Sequence, residues 1–273
     1  MGTTYSLDER EVANTLDARM NGASAAVIQR PLVVIPTYNE RENLEAIVLA
    51  IREQLPQASL LIIDDNSPDG TGTIADSLAA RLGHMEVLHR SGKLGLGTAY
   101  IEGFRYALRH DFTCVFEMDA DFSHDPRHLP QLLEAIERYD LVIGSRYVPG
   151  GTTPDWKRIR KIISTGGNVF ARNLLALPVQ DCTAGFKCYR RELLAAMDLD
   201  RINLQGYAFQ IETVYQTIRG GYRVGEVPIV FPDRQLGRSK MSRNIVLEAF
   251  SYVIRRRLGE YRQARERARS ARQ

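Results

Sequence analysis

No apolar run in this chain is long enough to cross a bilayer. The longest, such as residues 32–36 and 60–63, are a handful of residues, against the roughly 20 that a membrane helix needs. The chain is therefore not expected to span a membrane by itself. The first thirty residues are polar and mixed in charge, and no basic start leads into an apolar stretch, so they do not read as a secretory signal. The compartment this implies is the cytoplasm. Cysteine is scarce too. Cys114, Cys182 and Cys188 are odd in number and lack C-x-x-C spacing, which argues for reduced packing residues and against a disulfide framework or a thiolate metal site. No repeat period is visible. Gly92-Lys93-Leu94-Gly95-Leu96-Gly97 matches neither G-x-x-x-x-G-K-[ST] nor G-x-G-x-x-G after the first strand, which excludes a P-loop NTPase and a dinucleotide-binding oxidoreductase.

What is present describes an ordinary globular enzyme-sized chain. Its 273 residues are 44% hydrophobic and 25% charged, with a formal net charge of +3, enough to bury one substantial core. Short apolar runs alternate with helical patterns. Strands are expected over residues 32–36, 60–64, 86–89, 113–118 and 141–145, and helices over 43–54, 73–82, 97–109 and 130–139. Strict alternation of this kind predicts an α/β fold: a mostly parallel, doubly wound sheet with helices on both faces, in a single domain. Ligands of such sheets bind beyond the carboxyl ends of the strands.

Polar clusters follow the strands where that rule requires them. Pro36-Thr37-Tyr38-Asn39-Glu40 follows the first, Asp64-Asp65-Asn66-Ser67 the second, Asp119-Ala120-Asp121 the fourth and Ser145-Arg146-Tyr147 the fifth. Two carboxylates one residue apart at a strand end make an anionic pocket suited to a hard cation. Mg²⁺ or Mn²⁺ is commonly held by one or two carboxylates plus diphosphate oxygens, so a nucleotide-diphosphate substrate is the expected partner. Asp64-Asp65, ahead of Ser67-Pro68-Asp69-Gly70, serves either as a turn and helix cap or as an acceptor for a base or ribose. The glycines of 92–97 let the chain turn tightly into the next helix, with Lys93 placed to approach a ligand. His124 and His128 stand four apart, but the intervening Pro126 argues against a helical zinc pair; a cap and a surface residue are expected instead.

Several ordered segments together carry a family resemblance. Val34-Ile35-Pro36-Thr37-Tyr38-Asn39-Glu40, Asp64-Asp65-Asn66-Ser67-Pro68-Asp69-Gly70-Thr71, Glu117-Met118-Asp119-Ala120-Asp121 and Gly144-Ser145-Arg146-Tyr147 resemble the inverting glycosyltransferases of family 2. Within that family they are most similar to the synthases that mannosylate dolichyl and other polyprenyl phosphates. The resemblance runs from Pro31 to Phe250 and includes Arg160-Lys161-Ile162-Ile163-Ser164, Thr183-Ala184-Gly185-Phe186 and Gly206-Tyr207-Ala208-Phe209-Gln210. It implies a GT-A-like fold that transfers mannose from GDP-mannose to a polyprenyl phosphate with inversion. Glucosyl or N-acetylglucosaminyl transfer from a UDP-sugar is the alternative within enzymes, and a catalytically silent nucleotide-sugar or membrane-binding module the alternative outside them. On this resemblance Pro36, Tyr38, Glu40 and Asp65 hold the base and ribose, and Asp119 and Asp121 the Mg²⁺ or Mn²⁺ on the diphosphate. Arg146 and Arg160 grip the acceptor phosphate, and Arg234 and Lys240 belong to a loop that closes over the diphosphate. Some relatives carry Gln two positions after the second Asp, where this chain has Ser123.

The chemistry of such a transfer agrees with the residues at hand. A phosphate monoester is already anionic near neutral pH, its second pKa being about 6, so as a nucleophile it needs positioning more than deprotonation. Paired arginines suit it, because a planar guanidinium can meet phosphate bidentately. Past residue 243, Val246, Phe250, Val253, Ile254 and Leu258 form a helical apolar stripe beside Arg255, Arg256 and Arg257. The expected organisation is a flexible lead over 1–30, a catalytic domain over 31–243, and a basic amphipathic helix and tail over 244–273. That end either rests on an anionic membrane surface on the cytoplasmic side or packs on the catalytic domain. Basic charge without aromatic interleaving does not support nucleic-acid binding. Relatives that carry or borrow transmembrane helices leave room for a membrane-embedded partner subunit.

Overall fold

The computed structural model describes residues 30–232 and 243–270. The expected lead over 1–30 lies almost wholly outside the described residues, as do Arg234 and Lys240. The strands are β1 Pro31–Thr37, β2 Ser59–Asp64, β3 Met85–His89, β4 Cys114–Glu117, β5 Leu141–Ser145, β6 Lys187–Arg190 and β7 Val224–Pro228. The helices are α1 Leu44–Gln54, α2 Thr71–Leu82, α3 Leu96–Arg109, α4 Leu129–Ala135, α5 Arg158–Leu174, α6 Arg191–Ala196, α7 Gly206–Arg219 and α8 Arg243–Ser270. All seven of these strands join one sheet in the order β3-β2-β1-β4-β6-β5-β7.

Every element expected between residues 32 and 145 forms, with one shortened. The helix expected to reach 139 stops at Ala135, because the Arg190 guanidinium takes the carbonyls of Ile136, Glu137 and Tyr139 at 2.7–2.9 Å. Residue alternation along β1 decides the layering. Val34 joins Leu61, Ile63, Tyr100, Phe104 and Phe209 on one face, while Val33 and Ile35 join Ile47, Leu78, Phe116 and Leu132 on the other. Helices α1, α2 and α4 cover the second face; α3, α6, α7 and α8 cover the first. Helix α3 lies directly on β1, and a Cβ added at Gly103 would come within 2.5 Å of Val34 Cγ1.

The chain winds outward through β2 and β3, then returns by α3 to β4 on the other side of β1. The crevice opens at this switch point, beyond the carboxyl ends of β1 and β4. One departure from a parallel sheet lies beside it: β6 runs antiparallel to both β4 and β5. In that pairing Glu117 sits opposite Lys187, and both are fully buried. Lys187 Nζ donates to the Gln210 carbonyl (2.9 Å), Gln210 Oε1 (2.6 Å) and Thr213 Oγ1 (2.9 Å), and the Tyr189 hydroxyl donates to Glu117 Oε1 (2.9 Å). Burial pushes the Glu117 carboxyl up to about 7 against the pull of Lys187, and pushes Lys187 down to about 8 against the pull of Glu117. At the C-terminal end, Ala249, Tyr252 and Val253 bury α8 on the domain; Tyr252 and Arg256 meet Glu212, and Glu260 meets Tyr215 and Arg219. Through residue 260, α8 is a docked helix.

Removing one member of a buried charge pair leaves the other uncompensated, which costs about 3–5 kcal/mol. Lys187→Met is expected to lower the unfolding free energy in urea by that order without changing m, and Glu117→Gln added to it should recover part of the loss. Losses in the two single variants that add up to the loss in the double would show that the two residues are not coupled.

Candidate active site

The first wall of the crevice is the pair of turns after β1 and β2. Asp64 closes its own turn, accepting from Thr37 Oγ1 (3.0 Å), Ser67 N (3.0 Å) and Ser67 Oγ (2.5 Å). Asp69 accepts from Thr71 N at 3.0 Å at the start of α2, so the turn-and-cap reading of this segment describes Asp64 and Asp69. Asp65 differs. It is buried, its Oδ1 accepts from Arg90 at 2.7 Å, and its Oδ2 accepts from the backbone N–H of Leu94 (3.1 Å) and Gly95 (3.2 Å). Asp65 thereby fixes the 92–97 loop, whose Gly95 adopts φ 103°, a value that favours glycine. The loop returns Lys93 to the crevice, its Nζ 4.3 Å from the Tyr38 ring centroid. Pro36, Tyr38 and Glu40 lie half-buried along the same rim. The Glu40 carboxylate accepts from Asn43 Nδ2 at 2.9 Å.

Asp119 and Asp121 stand in the loop after β4. The Tyr100 hydroxyl, buried beneath, donates to Asp119 Oδ1 at 3.3 Å, and burial with the nearby Asp119 and Glu117 charges raises its pKa well above the usual value. Asp121 is buried and its Oδ1 accepts from both Ser123 N (3.0 Å) and Ser123 Oγ (2.6 Å). Ser123 thus orients the second carboxylate. Between them Phe122 is held at φ 60°, an unusual position for a bulky side chain and one that marks a conformation imposed by its surroundings. His124 proves to be neither cap nor surface residue. It is buried against Phe186, and its Nδ1 accepts from Asp119 N at 2.9 Å, locking the loop's entry; His128 Nε2 accepts from Val230 N at 3.1 Å. No cluster of three or more His, Cys, Asp or Glu forms among the described residues. The two carboxylates nevertheless suit a hard divalent cation, whose remaining positions substrate oxygens and water ordinarily fill.

The third part is built on β5, α5 and the segment before β6. Arg146 is buried, and its fork faces Asp181: Nε meets Oδ2 at 2.8 Å and one terminal nitrogen meets Oδ1 at 2.7 Å and Thr183 Oγ1 at 2.8 Å. Burial works against the Arg146 charge, but Asp181 more than offsets it and holds the pKa above its ordinary value; Arg146 in turn keeps Asp181 below the usual carboxylate range in spite of burial. The bidentate edge foreseen for a phosphate is therefore engaged within the protein. Arg160, half-buried on the first turn of α5, lies with its guanidinium carbon 3.9 Å from the Trp156 ring centroid. Arg146 reaches the same ring at 5.8 Å.

An apolar cavity of roughly 550 Å³ runs from this cationic end between α5, α7 and α8, with Ile159, Ile163, Phe170, Ile211, Val246 and Phe250 on its walls. A row of rings joins it to the carboxylate loop. His124 meets Phe231 edge-on at 5.5 Å, and Phe231 meets Trp156 edge-on at 5.6 Å. The structure thus brings Asp119, Asp121, Arg146 and Arg160 to one side of the sheet. Sequence reasoning passed over Trp156, Asp181 and Tyr100. Trp156 is the one tryptophan of the chain, which is the signal that could have singled it out.

Comparison with known proteins places this architecture. The sequence profile described as glycosyl transferase family 2 matches residues 32–197. An undecaprenyl-phosphate mannosyltransferase of Micrococcus luteus is 50% identical over 226 residues, covering 83% of this chain and 93% of that protein. A polyprenol monophosphomannose synthase of Mycolicibacterium smegmatis is 48% identical over 233 residues, covering 85% of this chain and 88% of that protein. Among solved structures, a glucosyl-3-phosphoglycerate synthase from Mycobacterium tuberculosis, in complex with phosphoglyceric acid, superposes with TM-score 0.60 at 20% identity, covering 85% of this chain and 81% of its own. A mannosyltransferase from Pyrobaculum calidifontis in complex with GDP-Man and Mn²⁺ gives TM-score 0.59 at 18% identity, covering 90% of this chain and 71% of its own. These likenesses make the fold GT-A, and with the profile match and two relatives near half identity over most of their length, the chain belongs to glycosyl transferase family 2.

Proposed function

We propose that the protein transfers mannose from GDP-mannose to the phosphate of a polyprenyl phosphate, giving polyprenyl-phosphate β-mannose and GDP. The observation that carries the reading is the apolar cavity with Arg160 and Trp156 in its wall, from which packed rings of Phe231 and His124 lead to the loop of Asp119 and Asp121. Such a cavity suits a molecule with an anionic head and a hydrocarbon tail. The names of the two relatives near half identity support the same donor sugar and acceptor class.

Each group then has a task. Pro36, Tyr38, Glu40 and Asp65 form the rim for base and ribose, with Asp65 acting through the loop that it fixes. Asp119 and Asp121 would hold a Mg²⁺ or Mn²⁺ on the diphosphate, where the ion supplies neutralisation of charge developing on the departing GDP. Arg234 and Lys240, beyond the described residues, are assigned to the same charge. An oxygen of the acceptor phosphate attacks the anomeric carbon from the face opposite the leaving group, so the configuration inverts in one displacement. That oxygen needs no general base. Arg160 directs it, while Arg146, neutralised in part by Asp181, adds a fixed guanidinium behind Trp156.

Among the described residues no helix is long and apolar enough to cross a membrane. Yet Ile159, Ile162 and Ile163 of α5 and Leu247, Ile254 and Leu258 of α8 are exposed, with Arg158, Lys161 and Arg255 exposed beside them. We assign these two helices to the cytoplasmic face of a membrane, flanking the mouth through which the lipid enters. A membrane-embedded partner could add to this contact.

Product formation from labelled GDP-mannose, UDP-glucose and UDP-N-acetylglucosamine, each with a polyprenyl phosphate and Mg²⁺ or Mn²⁺, tests the assignment. Mannolipid from GDP-mannose alone is expected, with kcat/KM lower by about two to three orders of magnitude in Asp121→Ala, the scale on which loss of charge stabilisation acts. Transfer from a UDP-sugar instead would overturn the donor. For the membrane face, Leu247→Asp combined with Leu258→Asp should abolish sedimentation with anionic liposomes while transfer to a short, water-soluble prenyl phosphate persists. Undiminished sedimentation would remove α8 from the interface.

A further inference from the structure

The acceptor end of the cavity contains a donor that the family motifs quoted above do not include. Trp156 is buried, lines the cavity, and its indole Nε1–H has no hydrogen-bond partner among the described residues. Native structures seldom leave a buried N–H of this kind without an acceptor, and an indole nitrogen can only donate. The ring is held on two sides. Phe231 packs edge-on at 89°, and the Arg160 guanidinium stacks on its face. The surroundings are cationic: the guanidinium carbons of Arg160 and Arg146 lie 3.9 and 5.8 Å from the indole centroid. A neutral acceptor has little reason to enter such a place. An anionic oxygen does.

We infer that Trp156 is a binding residue for the acceptor head group, its indole N–H donating to a phosphate oxygen of the prenyl phosphate while its face sets the position of Arg160. This rests on the function proposed above and assigns within it a residue that reads phosphate and a residue that aims the reading group. The stacking also explains how one half-exposed arginine keeps a fixed direction. A guanidinium on a flexible stem loses less freedom on binding when it is already stacked on a ring.

Since Trp156 is the one tryptophan in the chain, the intrinsic fluorescence of the full-length protein reports this position directly. Farnesyl phosphate, farnesol and inorganic phosphate are titrated separately, and a saturable change in emission is expected with farnesyl phosphate at concentrations where farnesol has no effect. In steady-state assays Trp156→Phe, which keeps a ring for Arg160 but deletes the N–H, is expected to raise the KM for farnesyl phosphate about tenfold and to leave the KM for GDP-mannose within about twofold, the scale of one hydrogen bond to a charged group. Trp156→Leu, which also removes the stacking face, should raise it further. No emission change with farnesyl phosphate, together with an unaltered acceptor KM in Trp156→Phe, would overturn the inference in a preparation that makes mannolipid. A preparation that makes no glycolipid from any donor, yet whose emission responds to farnesyl phosphate, would instead sink the proposed reaction and leave the role of Trp156 standing.

Discussion

The pairing of β4 with β6 is the constraint on which the site depends. It joins the parallel half of the sheet, β1 to β4, to the half that ends in α5 and α8, and it is antiparallel, as is the next pairing of β6 with β5. Glu117 and Lys187 face each other across it inside the protein, so the ladder's register is fixed by charge as well as by hydrogen bonds. A slip of one residue would turn either group into the apolar layer on the opposite face. Both strands lead into the crevice from the Glu117–Lys187 end of this pairing. Two residues past Glu117 comes Asp119, and the segment entering β6 contains Asp181 and Thr183, which hold Arg146. The loop of Asp119 and Asp121 and the segment that holds Arg146 are therefore registered to each other at the Glu117–Lys187 pair.

Electrostatics at the acceptor end follow from what each arginine already holds. Arg146 with Asp181 is a closed pair, buried and bidentate, and contributes rigidity more than net charge. Glu226 accepts from the backbone N–H of Gln180 and Asp181 at 2.6 and 2.9 Å, so the carboxylate that fixes Arg146 is itself fixed from β7. Arg160 stacks its guanidinium on the Trp156 ring at 3.9 Å and lines the cavity. One arginine is built into the frame, and the other stands in the cavity wall.

Much of this was readable from sequence because α/β folds write their function at strand ends. The strands at 32–36, 60–64 and 141–145 were legible as apolar runs bounded by polar clusters, and those clusters line the crevice. Strand β6 was not, since Lys-Cys-Tyr-Arg offers no apolar run; its lysine and tyrosine are buried only because Glu117, Gln210 and Thr213 satisfy them, and that is a tertiary fact. Asp65 looked like a ligand contact and is also the anchor of a loop thirty residues on, a partnership no local pattern encodes. His124 failed as a cap for a similar reason, being committed to the backbone of Asp119. The arginine fork at Arg146 was legible as chemistry, yet its partner Asp181 stands two residues ahead of the quoted Thr183-Ala184-Gly185-Phe186 segment and thirty-five from Arg146, a pairing that only the fold makes.

The cavity's composition also decides where affinity for a lipid acceptor must arise. Moving prenyl units from a bilayer into an apolar groove exchanges one hydrocarbon environment for another, so burial contributes little net driving force, unlike transfer from water. The walls formed by Ile159, Ile163, Phe170 and Phe250 therefore select a shape and lower the barrier to entry without supplying most of the binding energy. On the proposed reading, what distinguishes the bound lipid from one left in the membrane is the head group, which would trade water for Arg160 and the Trp156 N–H. Charge-assisted hydrogen bonds gain strength as water is excluded, and a half-buried position suits this better than an exposed or a fully enclosed one. An exposed arginine would be screened, and a fully enclosed one would bear its own desolvation, as Arg146 does and balances with Asp181. The half-burial of Arg160 beside a buried indole is thus the arrangement expected of a site that must draw an anionic head out of a membrane interface and release it once it carries a sugar.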